Sequence, residues 1–105
     1  MQQKEDMRIR VSGKQIEIGE ALPEKVRVQL SESVGKYFDG GFDAHVVFSR
    51  ERSMFHADCT VHLDAGAVMK SEGEADDAHK AFALALEHMD KQVRRYMRKL
   101  KGHHD

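Results

Sequence analysis

Nine residues, Phe55 to Leu63, restrict the fold more than any other stretch of the chain. Phe55, Ala57, Cys59, Val61 and Leu63 take every second position, with His56, Asp58, Thr60 and His62 between them. Successive side chains of a strand point to opposite faces, so this pattern describes a strand with one apolar face and one wet face. A sheet of such strands needs cover on one side only, and amphipathic helices supply it.

The flanking segments fit that requirement. Met7 to Val11 alternates apolar and charged residues and reads as a first strand. Ala44 to Arg50 reads as a second, joined to the Phe55 strand by a turn at Glu51-Arg52-Ser53. Asp64-Ala65-Gly66 is another tight turn, and Ala67 to Glu74 the fourth and weakest strand, with Gly73 beginning its exit. Between the first two strands, Glu20 to Tyr37 reads as a helix with Gly19 as its cap and Glu20 and Glu24 near its positive end. Pro23 is tolerated there because it falls in the first turn, where its missing N–H has no helical partner. Leu22, Val26, Leu30 and Val34 form its apolar stripe, and Asp39-Gly40-Gly41 closes it. Asp76 to Lys101 reads as one long helix, with Asp76 or Asp77 at its N-cap.

The expected fold class is therefore α+β, a two-layer sandwich of order β-α-β-β-β-α. Four strands form one sheet, both helices cover one face, and the first two strands pair in parallel through a right-handed crossover. Residues 7–101 form the domain, 1–6 are expected to be a disordered lead-in, and 102–105 a tail or the start of a linker. At 105 residues there is room for one domain and not for two.

A single cysteine, Cys59, cannot form an internal disulfide, which fits a reducing compartment. No apolar run approaches the roughly 20 residues of a membrane helix, and the polar start of mixed charge is no signal peptide. A cytoplasmic protein is expected.

The formal net charge of −1 conceals a separation. Residues 91–105 hold six Lys/Arg and one acid, a net +5, while residues 1–90 hold 11 basic and 17 acidic residues, a net −6. On a helical projection Arg94, Arg95 and Arg98 fall within roughly 60° of Lys91, and Lys99 and Lys101 lie near 80° on either side. Val93, Tyr96, Met97 and Leu100 fall on the opposite half, continuing a stripe of Ala78, Phe82, Ala85, Leu86 and Met89. One or two cations near a helix C-terminus complement its dipole, but six exceed that need. Such a face suits a polyanion, and the arginine fork suits phosphate.

The class of polyanion can be narrowed. A membrane-surface helix exposes Trp, Phe or Leu beside its cations, whereas here the apolar face must cover the sheet and the chain has no Trp. Neither a helix-turn-helix nor a zinc module of a duplex-DNA reader is present, and the sheet lacks the stacked aromatics of an RRM. The wet face offers Arg8, Arg10, His45, His56 and His62 instead. Structured RNA, met through its backbone and shape, fits better.

Three rival readings remain open on the residues alone. An enzyme needs a convergent nucleophile and base, and Cys59 on the inward side of a strand reads as a small hydrophobe. Zinc could be held by His45 and His62, which would face each other across the central hairpin with His56 near the turn, but a third ligand is missing. A regulator that binds protein through its sheet is the third. No catalytic residue, metal or cofactor is expected.

The order of the segments resembles the ribosome hibernation promoting factor family, which includes the ribosome-associated inhibitor and sigma modulation proteins. MRIRVSGKQIEIGEAL from Met7 to Leu22 is similar to its opening strand and the start of its first helix, and KYFD from Lys36 to Asp39 to the end of that helix. DCTVHL from Asp58 to Leu63 resembles its third strand. EGEADDAH from Glu72 to His79 resembles the start of its second helix, with His79 where the family often has tyrosine. RRYMRKLKGH from Arg94 to His103 resembles the basic end.

The resemblance implies a fold like that of double-stranded-RNA-binding domains. It implies binding to the small ribosomal subunit between head and body, over the sites of messenger RNA and the A- and P-site transfer RNAs, so that translation is inhibited under stress. It assigns RNA contact to Lys91, Arg94, Arg95, Arg98, Lys99 and Lys101. Lys25, Arg27 and Lys36 of the first helix are weaker candidates, as are Arg8 and Arg10 of the first strand. Long family members add a C-terminal domain that pairs ribosomes, and ribosome dimerisation is expected only if such a domain exists.

Overall fold

The computed structural model describes residues 8–102, and the alternating segments pair into one four-stranded sheet. In chain order the elements are β1 (Ile9–Gly13), α1 (Ala21–Gly35), β2 (Phe42–Glu51), β3 (Met54–Leu63), β4 (Val68–Ala75) and α2 (Ala78–Gly102). Strand order is β1-β2-β3-β4, with β1 parallel to β2 and the other pairs antiparallel. The α+β class, the element order and the two helices on one face are as the sequence led us to expect. The lead-in of residues 1–6, Met7 and the tail from His103 lie outside the described residues.

The core forms where the apolar faces meet. Ala57, Cys59, Val61 and Leu63 of β3 are buried, and so are Ala44, Val46 and Phe48 of β2. From α1 come Leu22, Val26, Leu30 and Val34, and from α2 Ala81, Phe82, Ala85, Met89 and Val93. Phe48 and Phe82 meet with ring centroids 6.4 Å apart, tilted by 55°, linking sheet to helix at the centre. Gly73 does not begin an exit: it pairs with Ala57, and β4 continues to Ala75. A Cβ at Gly73 would run into the Ala81 carbonyl and the Ala85 nitrogen, so its missing side chain lets the α2 backbone lie directly on β4.

Other boundaries differ for local reasons. β1 runs on to Gly13 because Ser12 and Gly13 still pair with Val47 and Phe48. The cap of α1 is Glu20 and not Gly19, which instead turns the chain into the helix with φ +70°. α1 ends at Gly35, since the N–H groups of Tyr37 and Phe38 both turn back to Val34 O. The central hairpin closes on two residues, Arg52 and Ser53, with Glu51 opposite Met54. That register sets His45 opposite Thr60 and His62 opposite Asp43, so the two histidines share a face but do not face each other.

Candidate nucleic-acid interface

Asp77 starts α2: its Oδ1 accepts the N–H of His79 at 2.6 Å and that of Lys80 at 3.4 Å. These backbone bonds, His79 first, hold the Asp77 carboxyl below the usual range. From there the helix runs back along β4. Ser71 Oγ donates to Ala85 O at 2.7 Å, His88 Nδ1 to Glu72 O at 3.0 Å, and Gln92 Nε2 to Lys70 O at 2.6 Å. The last two bonds also satisfy carbonyls of an edge strand, which would otherwise offer themselves to another chain.

Val93 is the last α2 residue that the core buries fully. Past it Tyr96 and Met97 are half-buried and Leu100 is 50% exposed, so the final turns rise off the main core. Lys91, Arg94, Arg95, Arg98, Lys99 and Lys101 are all exposed along this stretch. Among the described residues only Lys91 is near a carboxylate, Glu87 at 4.0 Å, a weak surface contact. Among the described residues the other five make no ion pair. The structure thus brings the six predicted cations together on one solvent-facing strip.

The weaker candidates fare differently. α1 lies parallel to α2, with Lys25 Nζ 3.3 Å from His79 Nδ1 near their starts and Lys36 Nζ 3.0 Å from Asp90 Oδ2 near the end of α1. Asp90 also accepts Ser33 Oγ and Tyr37 OH, each at 2.8 Å. Partial burial works to raise the Asp90 carboxyl, but the hydrogen bonds from Lys36, Ser33 and Tyr37 outweigh it and hold it below its ordinary range. Lys36 is raised in turn by Asp90. Arg27 Nε is buried without a hydrogen-bond partner among the described residues.

Arg8 is held by two carboxylates, its Nε 2.9 Å from Asp43 Oδ1 and its Nη2 2.6 Å from Asp64 Oδ1. The same contact holds Asp43 low. Arg10 alone of these five stands exposed with neither an ion pair nor a hydrogen-bonded side chain among the described residues.

Two rival readings of the sequence, a reactive cysteine and a zinc site, can be compared with the described residues. Cys59 is buried, and burial pushes its thiol up to about 12, far from the thiolate a nucleophile needs. No group of three His, Cys, Asp or Glu is placed to hold a metal ion among them. No described helix is long and apolar enough to cross a membrane.

Residues 9–101 match the family described as Sigma 54 modulation protein / S30EA ribosomal protein. The chain belongs to that family. The S30EA-family match is supported by individual relatives. A ribosome hibernation promotion factor of Rhizobium meliloti (strain 1021) is 44% identical over 99 residues, covering 94% of this chain and 52% of the relative. The chain therefore spans about half the length of that relative. A ribosome hibernation promoting factor of Escherichia coli (strain K12) is 29% identical over 97 residues, covering 92% of this chain and 100% of the relative. Among solved structures of similar shape is the N-terminal domain of Thermus thermophilus Protein Y. It superposes with a TM-score of 0.76 at 29% identity, over 83% of this chain and 94% of that one.

Asp90 is the residue that sequence reasoning missed. It is the last acid before the cationic strip, and its partners stand 53 to 57 positions away in the chain. No local pattern could mark it.

Proposed function

We propose that this S30EA-family domain is a ribosome hibernation factor. It binds ribosomal RNA of the small subunit through the α2 cations, occupies the decoding channel, and so excludes messenger and transfer RNA. The action is occupancy, with no catalysis and no cofactor, in the cytoplasm where ribosomes are found.

The observation that carries this reading is the exposed strip from Arg94 to Lys101, whose five cations have no carboxylate partner among the described residues. An unpaired strip needs no internal ion pair to be broken before it meets phosphate, so its attraction is available to a polyanion. The names of the Rhizobium and Escherichia relatives point to the ribosome as the source of that polyanion.

Co-sedimentation with small ribosomal subunits tests it. Wild-type protein pellets with the subunits, and Arg95→Glu/Arg98→Glu stays in the supernatant, most clearly at low salt. Equal pelleting of the two proteins would remove the basic strip from the account.

A further inference from the structure

The helices leave one face of the sheet open, and strand register sorts its charges by end. Arg10, His45, Thr60 and Lys70 form one row across β1, β2, β3 and β4. Asp43 and His62 lie in the next row, toward the end where β2 begins. Toward the hairpin tip the signs reverse: Asp58 pairs with Glu72, and His56 Nε2 lies 3.5 Å from Glu74 and 3.6 Å from Glu51.

The basic half of this face shares its end of the molecule with the α2 strip. α2 runs back along β4, with Ala85 at Ser71 and Gln92 at Lys70, so Arg94 to Lys101 lie beyond the row that holds Lys70. Of the α2 cations, Arg94, Arg98 and Lys101 lie on the flank of the helix away from the sheet, while Arg95 and Lys99 share the flank of His88 and Gln92, which borders the edge of β4. The same end therefore carries cations on both broad sides of a body whose shortest extent is 18 Å.

On the sheet side these residues border a shallow groove of about 410 Å³, lined by Arg8, Arg10, Asp43, His45, Thr60 and His62. The row above it is about 14 Å long at the usual strand spacing of about 4.8 Å. The lining residues of the groove come from β1, β2 and β3 and from Arg8 just before β1.

We propose that this groove and its row are a second RNA-contact surface, taking a stretch of phosphate backbone separate from the one on α2, and that its grip tightens as pH falls from 8 to 6. RNA as the occupant rests on the function proposed above; the place and the pH response do not. At the groove Arg8 and Arg10 stand against Asp43 and Asp64, which leaves no net charge with both imidazoles neutral and two positive charges with both protonated, while Lys70 at the end of the row has Asp58 and Glu72 beside it. Histidine is the side chain that gains charge in this pH range.

His45 faces Arg10 from β1 and Thr60 from β3, and its Nε2 lies 3.1 Å from Ser12 Oγ, a hydroxyl that can accept from the charged ring as well as donate to the neutral one. His62 faces Asp43 from β2 and Val68 from β4.

The test is binding of the full chain to small ribosomal subunits at pH 8 and pH 6, across a salt series, with circular dichroism confirming that each variant is folded. Wild type gains on the order of tenfold in affinity at pH 6, and its slope of log affinity against log salt steepens by about two. His45→Gln/His62→Gln matches wild type at pH 8 and loses both changes at pH 6. Arg10→Glu/Lys70→Glu binds more weakly at both values.

A histidine variant that keeps the full pH gain, or an Arg10→Glu/Lys70→Glu protein that binds as wild type, overturns the sheet surface and leaves the α2 strip standing. If Arg95→Glu/Arg98→Glu instead binds as wild type while the sheet variants weaken, the sheet surface stands and the helix reading falls. Wild-type protein that fails to bind the subunits overturns both.

Discussion

Lys36 and Asp90 meet at 3.0 Å between two parallel helices, and their ion pair fastens α1 to α2 one residue before the cationic strip begins. With Ser33 and Tyr37 completing the shell, Asp90 consumes one cation and leaves the next six to solvent. The helix that contacts RNA in this account is thus held from behind by the only α2 acid that reaches α1 through hydrogen bonds among the described residues.

Asp90→Ala removes three hydrogen bonds to a charged, part-buried acceptor and strands Ser33. We expect a loss of about 2 kcal/mol of stability, read as a lower midpoint in urea at unchanged slope. A midpoint equal to that of wild type would show that the tie contributes nothing.

The same carboxylate sets a pH dependence. Its folded pKa lies below the unfolded value of about 3.9, so its contribution is fully present above that value and is lost as pH falls through the folded one. Asp77 and Asp43 are lowered as well and act in the same direction. Stability should therefore be level near pH 6 and fall steeply below about pH 4, with a shallower fall for Asp90→Asn. Identical acid limbs for the two proteins would contradict this.

Gly73→Ala should cost about 3 kcal/mol or more, because the new methyl meets the α2 backbone and not a pliable side chain. Denaturant unfolding measures it. The outcome tests whether α2 lies as close to β4 as described, and a neutral substitution would mean that it does not.

Cys59 should resist thiol reagents at pH 8 while the protein is folded and react at once in urea. Burial holds its thiol near 12, and the core leaves a reagent no path to it. Rapid labelling of the native protein would contradict the buried placement.

Much of this structure was legible from residue order, for a physical reason: a sheet covered on one side writes its burial as alternation. β3 shows this over its whole length, and the four-residue stripe of Leu22, Val26, Leu30 and Val34 reported α1 in the same way. The cationic strip was legible because its members are neighbours on one helix. The hairpin register was not. Its turn has no Asn-Gly or Asp-Gly signal, and Arg52 takes φ +59°, a conformation that side chains other than glycine seldom adopt. Gly73 read as a strand breaker, since its use depends on a helix that arrives later in the chain. The capture of Arg8 by Asp43 and Asp64, and of Lys36 by Asp90, joins residues far apart in sequence, and only the folded chain distinguishes those cations from the unpaired ones.

The proposed function stands or falls on whether the five cations from Arg94 to Lys101 meet RNA phosphates. Its most direct test is the salt dependence of binding to small ribosomal subunits at pH 8, wild type against Arg94→Gln/Arg95→Gln/Arg98→Gln. At about 0.7 to 0.9 per phosphate contact, these five should contribute about −4 to the wild-type slope of log affinity against log salt, and the triple substitution should reduce the magnitude of that slope by about two to three. A slope that is the same in both proteins would contradict the account.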